Sequence, residues 1–176
     1  MTTDQLERVA TRPTTTELNV PGPIRRLLAW ARFDLRPSHR QPAAIALGVA
    51  TVVAVVLCLV ADWLLAKFGV AVFPSTKGYE HFQFGDYATL TVLGVLAACV
   101  GWPIVTRLCA APRWLFARLA VLVTAVLLLP DLAIYLQGQP GNAVFVLVLM
   151  HLAIGAITYS ALVLIAPHRR PVPPPA

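Results

Sequence analysis

Four long apolar stretches, at 43–66, 87–105, 114–136 and 143–166, dominate this chain and are separated only by short polar segments. Each is near the ~20 residues that cross ~30 Å of hydrocarbon as a helix. A backbone in hydrocarbon must satisfy its own hydrogen bonds, so four separate apolar stretches become four helices. With 58% hydrophobic and only 12% charged residues, the composition lies outside the range of a soluble domain. The basic residues set the direction of crossing. Arg8, Arg12, Arg25, Arg26, Arg32, Arg36 and Arg40 precede the first stretch, Arg107, Arg113 and Arg118 surround the second connection, and Arg169 and Arg170 follow the fourth. Only Lys67 and Lys77 fall between the first and second stretches, and none falls between the third and fourth. By the positive-inside rule both termini are expected in the cytoplasm, with the chain held in the inner (plasma) membrane.

The flanking segments read by composition. Residues 1–22 carry repeated threonines without apolar periodicity and are expected to be a disordered cytoplasmic tail. In 23–41, Ile24, Leu27, Leu28, Ala31 and Leu35 share one helical face and Arg25, Arg32 and Arg36 another, although Phe33 interrupts the pattern. That predicts a basic amphipathic helix lying on the inner leaflet, with Arg25, Arg26, Arg32, Arg36 and Arg40 on anionic headgroups. A disordered basic leader that only orients the protein is the alternative. The larger outer loop, 67–86, holds Phe68, Phe73, Tyr79, Phe82 and Phe84, expected at the outer interface. Gly138, Pro140 and Gly141 mark a tight second outer turn, and 167–176 is a Pro-rich cytoplasmic tail. Short connections make consecutive helices antiparallel neighbours. The expected fold is all-α: an up-down-up-down four-helix transmembrane bundle with an amphipathic N-terminal helix.

Four ionisable residues fall in or at the ends of the spans: Asp62, Asp86, Asp131 and His151. Stepping ~100° per residue along each helix places each on a mainly small or polar stripe. Cys58, Val55, Thr51, Gly48 and Ala44 lie below Asp62, and Leu90, Leu93, Gly94, Ala97 and Gly101 lie below Asp86. Thr124, Ala120 and Ala117 lie below Asp131, and Gly155 and Thr158 below His151. Small stripes let membrane helices approach closely, so the four groups are expected to face inward and meet in the outer half of the bundle. Two accounts fit. In one they line an outward-facing acidic pocket for a cation, a proton or a basic or hydroxylated ligand. In the other, Asp62 and Asp86 sit in wet interfacial positions, Asp131 serves Tyr135 or a Pro130 kink, and His151 is a neutral interhelical donor.

Other chemistries find too few residues. His81, Glu80 and Asp86 lack a recognised zinc spacing. A bis-histidine haem needs two intramembrane histidines, and only His151 qualifies. Ser160 and His151 are about 13 Å apart along one helix, which rules out a hydrolytic pair. Cys58, Cys99 and Cys109 fall in two spans and the inner turn, so neither a structural disulfide nor an outer thiol relay is expected. Arg118 is expected to snorkel to the inner surface. No cofactor or metal is expected, and the net charge of +6 points to lipid headgroups rather than nucleic acid.

The stretch from about 43 to 166 resembles a family of small four-span membrane proteins of unknown function from actinobacteria. The resemblance rests on Phe84-Gly85-Asp86-Tyr87-Ala88-Thr89-Leu90 opening the second span, Pro130-Asp131 late in the third and Met150-His151-Leu152 early in the fourth. It implies the four-span fold and no activity. The expected function is therefore non-enzymatic: an accessory or interaction protein of the envelope whose cytoplasmic basic segments dock to lipid or to a larger complex, with exposed small-residue patches such as the Ala46, Ala50, Ala54 row serving a partner or a second copy. A small transporter or ligand-binding protein using the acidic pocket is the alternative, with a lipid-directed enzyme third.

Overall fold

A computed structural model describes residues 23, 26, 41–79, 82–109 and 111–168. The chain divides into two units, Met1–Trp30 and Ala31–Ala176. In the first, the described residues Pro23 and Arg26 are helical and exposed. The expected tail at 1–22, Arg25, Arg32, Arg36 and Arg40, and the end of the Pro-rich tail from 169 lie outside the described residues.

The second unit is built from four helices: α1 (Ala44–Val72), α2 (Phe84–Leu108), α3 (Pro112–Leu136) and α4 (Gly141–Ile165). All four are long and apolar enough to cross a membrane, and the described residues contain no β-strand. Each begins or ends a little outside its apolar stretch, and α1 does so most, ending at Val72 rather than 66. At 1.5 Å per residue α1 is about 43 Å long, beyond the ~30 Å of hydrocarbon. Its extra turns carry the exposed Lys67.

Local chemistry sets the ends. Pro112 opens α3 where a missing N–H costs nothing. Gly138, at φ 88°, closes it: its N–H donates to the Tyr135 carbonyl at 3.0 Å and that of Gln139 donates to Ile134 at 3.3 Å. These two bonds form a Schellman cap, which needs the left-handed backbone that glycine adopts freely. Pro140 then starts α4 at once.

Helix α4 is the central element, packing on α1, α2 and α3, with α1 its principal neighbour. Contacts at both ends fix the up-down order. At one end Trp102 Nε1 of α2 donates to the Ala166 carbonyl after α4 at 2.8 Å, and the Thr106 hydroxyl lies 2.8 Å from Gln41 Oε1 before α1. At the other end Gly69 of α1 sits so close to α4 that a Cβ there would meet Val146 Cγ2 at 2.9 Å.

The loop aromatics divide. Phe73, Tyr79 and Phe82 pack on the bundle's own apolar cluster, while Phe68 and Phe84 are exposed. Arg118 is exposed with its guanidinium 3.8 Å from the Trp114 ring centre, a cation–π contact.

The buried line of α1 is Ala50, Ala54, Cys58, Asp62, Ala66 and Gly69. This corrects the expected stripe in its lower half: Gly48 and Ala44 are exposed, while Ala50 and Ala54, expected to be free for a partner, are wholly buried. A contact line in steps of four drifts around a helix of 3.6 residues per turn, as ridges do when two helices cross. Straight-line projection from Asp62 misses that drift. The stripe of α2 is also corrected. Leu90 and Leu93 are exposed, and no neighbouring atom lies within 4 Å of a Cβ built at Gly94 or Gly101. Tyr87, Thr91, Val95, Cys99, Trp102 and Thr106 turn inward instead. In α2 the bulkier row supplies the packing area. The α3–α4 expectation agrees with the structure: a Cβ on Gly155 would stand 2.6 Å from Thr124 Oγ1.

Candidate functional site

Two apolar clusters fill the bundle, and a polar layer separates them. On α1 Cys58 belongs to one cluster and Ala66 to the other, and Asp62 lies between; on α2 the same holds for Val95, Tyr87 and the intervening Thr91. On α4 His151 follows Met150 of the second cluster and precedes Ile154, which packs on the first. Measured from the helix ends nearest the α3–α4 turn, Asp131 lies ~8 Å inside α3 and Asp62 and His151 each ~15 Å inside their helices.

Within this layer Thr91 Oγ1 donates to Asp62 Oδ2 at 2.7 Å, bridging α1 and α2. His151 Nδ1 lies 3.0 Å from Asp131 Oδ2, bridging α3 and α4, and 3.1 Å from the Leu147 carbonyl one turn back. His151 is also close enough to Asp62 to interact with it electrostatically. Asp62 is wholly buried, and its second oxygen, Oδ1, has no hydrogen-bond partner. A turn along α1, Cys58 Sγ stands 3.6 Å from Thr158 Oγ1 of α4. Further on, Cys99 hydrogen-bonds Thr51. Cys58, Cys99 and Cys109 are all buried free thiols.

The structure therefore gathers Asp62, Asp131 and His151, each on a different helix. It leaves out Asp86, exposed in the first turn of α2. Asp86 and Tyr87 differ by ~100° around the helix, and burying Tyr87 turns the acid away. Thr91 takes the second-helix position expected for Asp86. Its sequence signal was the Tyr87, Thr91, Val95, Cys99 row, in steps of four, which a search for acids passes over. Asp131 lies beside His151, whose Nδ1 stands 3.0 Å from its Oδ2. Among the described residues no group of three His, Cys, Asp or Glu side chains is arranged to hold a metal ion.

Four membrane-length apolar helices around an ionisable layer define a small four-span membrane protein. The chain belongs to a family of unknown function, DUF6069, whose pattern matches residues 35–167. No curated protein and no solved structure matches the chain.

Proposed function

We propose that this protein takes up a proton at Asp62, in a layer that it shares with Asp131 and His151, inside an actinobacterial plasma membrane. Its termini are placed in the cytoplasm by the basic flanks, and Arg25, Arg26, Arg32, Arg36 and Arg40 rest on anionic headgroups. The observation that carries the proposal is the partnerless Oδ1 of the fully buried Asp62. A buried polar atom without a hydrogen bond costs on the order of 1–3 kcal/mol, more when charged, and such atoms are rare unless something binds there. Charge points the same way. Two ionised carboxylates leave the layer net negative whether or not His151 is protonated, and a cation relieves that cost in a medium that solvates charge poorly. The accessory role expected for this chain put its docking on the cytoplasmic basic segments, with the Ala46, Ala50, Ala54 row as one surface for a partner. With Ala50 and Ala54 buried against the protein's own helices, that row does not serve as such a surface.

The test is reaction of the full-length protein in nanodiscs with a membrane-soluble carbodiimide, which modifies carboxylic acids and spares carboxylates. Modification of Asp62, mapped by mass spectrometry, is expected to fall when pH is raised. Modification that does not change with pH would overturn the proposal.

A further inference from the structure

We infer that Thr91 is the positioning residue for proton exchange at Asp62: its hydroxyl holds the carboxylate form, so that a buried acid gives its proton back as well as taking it. The inference rests on the proton uptake proposed above and names the residue that makes it reversible.

Burial alone would make Asp62 a one-way acceptor. Charge is poorly solvated between packed helices, so a carboxylic acid without a partner there keeps its proton. A hydroxyl that gives its hydrogen to the carboxyl group changes the balance, because a hydrogen bond to a charged oxygen is roughly twice as strong as one to a neutral oxygen. Thr91 is placed to do this. Its Oγ1 stands 2.7 Å from Asp62 Oδ2, it is 4% exposed, and Asp62 Oδ1 has no hydrogen-bond partner. Among the described residues, Thr91 is therefore the one hydrogen-bond partner of Asp62.

Other threonines of the bundle behave differently. A threonine inside a helix ordinarily returns its hydroxyl hydrogen to the carbonyl one turn back. Thr51 does so to Leu47 at 2.9 Å and Thr89 to Gly85 at 2.9 Å. Thr91, in the same helix as Thr89, bonds across to α1 instead. Its neighbours on that face, Tyr87 and Val95, belong to the two apolar clusters. A valine has the shape to fill the place between them, and what the hydroxyl adds is the bond to Asp62.

The titratable groups around Asp62 come from every helix. Cys58 on α1, Tyr87 on α2 and His151 on α4 are close enough to act on it electrostatically, and Asp131 of α3 stands 3.0 Å from His151. Each of these acts at longer range than the hydrogen bond from Thr91. The exchange itself needs no oxidant or reductant. On uptake, hydronium gives a proton to a carboxylate oxygen of Asp62 and leaves as water, one O–H bond forming on the acid as one breaks on the hydronium. On release the transfer runs backwards, and Thr91 donates to the carboxylate that is left.

The test uses the full-length protein in nanodiscs and the carbodiimide reaction at Asp62, read at the pH where wild-type modification has fallen to about a tenth of its value in acid. Thr91→Val, which keeps the shape and loses the hydroxyl, is expected to raise modification about threefold or more at that pH. Thr91→Ser, which keeps the hydroxyl, is expected to match wild type, and Thr91→Cys, a weak donor, to fall between. Val95→Ala, which loosens the same helix without touching the hydroxyl, is expected to lower the melting temperature and leave the pH profile in place. Unchanged modification in Thr91→Val would overturn the inference, as would an equal rise in Val95→Ala. Should Thr91→Val fail to fold, unchanged modification in Thr91→Cys would do the same. A wild-type reaction that ignores pH would retire proton uptake at Asp62 and the role of Thr91 with it. A pH-dependent wild type with an indifferent Thr91→Val would retire Thr91 alone.

Discussion

The pairing of Asp131 with His151 makes a quantitative claim about two side chains. Removing one of two polar side chains in contact leaves the other without its neighbour, whereas removing both costs less than the sum. A double-mutant cycle of Asp131→Asn and His151→Gln, followed by thermal unfolding in mild detergent, is expected to show a coupling of about 1 kcal/mol, within the ~0.5–3 kcal/mol seen for residues in contact. The lower part of that range applies because the imidazole is only partly buried by the other helices. A coupling near zero would mean the contact does not form. The individual acids were plain in the sequence, since Asp62 and Asp131 interrupt apolar stretches. Which of them met His151 was not, because a stripe on one helix carries no information about the rotation of its neighbour.

Two helix faces that look alike in sequence have opposite roles. Gly155 lies against Thr124 so closely that an added Cβ would stand 2.6 Å from Oγ1, while Gly94 of α2 has open space around it. Gly155→Ala is therefore expected to destabilise the α3–α4 contact by about 1–3 kcal/mol, as overpacking does. Thr124→Ala in the same chain is expected to recover most of that. Gly94→Ala is expected to be neutral or slightly stabilising, since alanine is the better helix former. Melting temperatures of the three variants decide the matter, and equal losses at Gly155 and Gly94 would contradict the assignment of faces. The helices themselves were legible from the four apolar stretches, and the turn at Gly138 and Pro140 from its residue types. The inward row of α2 was not, because smallness alone does not separate a packing face from one that lipid covers.

At the scale of the molecule the arrangement fixes which loops share a side. Ser75, Gln139 and Arg113 are exposed, the first two at the end near the α3–α4 turn and the third at the opposite end. All three native cysteines are buried, so a membrane-impermeant maleimide has little native background. In intact cells, Ser75→Cys and Gln139→Cys are expected to label from outside and Arg113→Cys only after permeabilisation. The reverse pattern would invert the topology inferred from the basic flanks. By itself, the sequence determined that the chain makes four antiparallel membrane-length helices, because hydropathy and turn residues are local properties. Only the tertiary structure decided that Asp86 stays outside the layer, that Thr91 serves Asp62, and that Ala50 and Ala54 are buried in the bundle rather than left for a partner. Those outcomes depend on how each helix is rotated, and rotation is set jointly by the shapes of all the faces packed together.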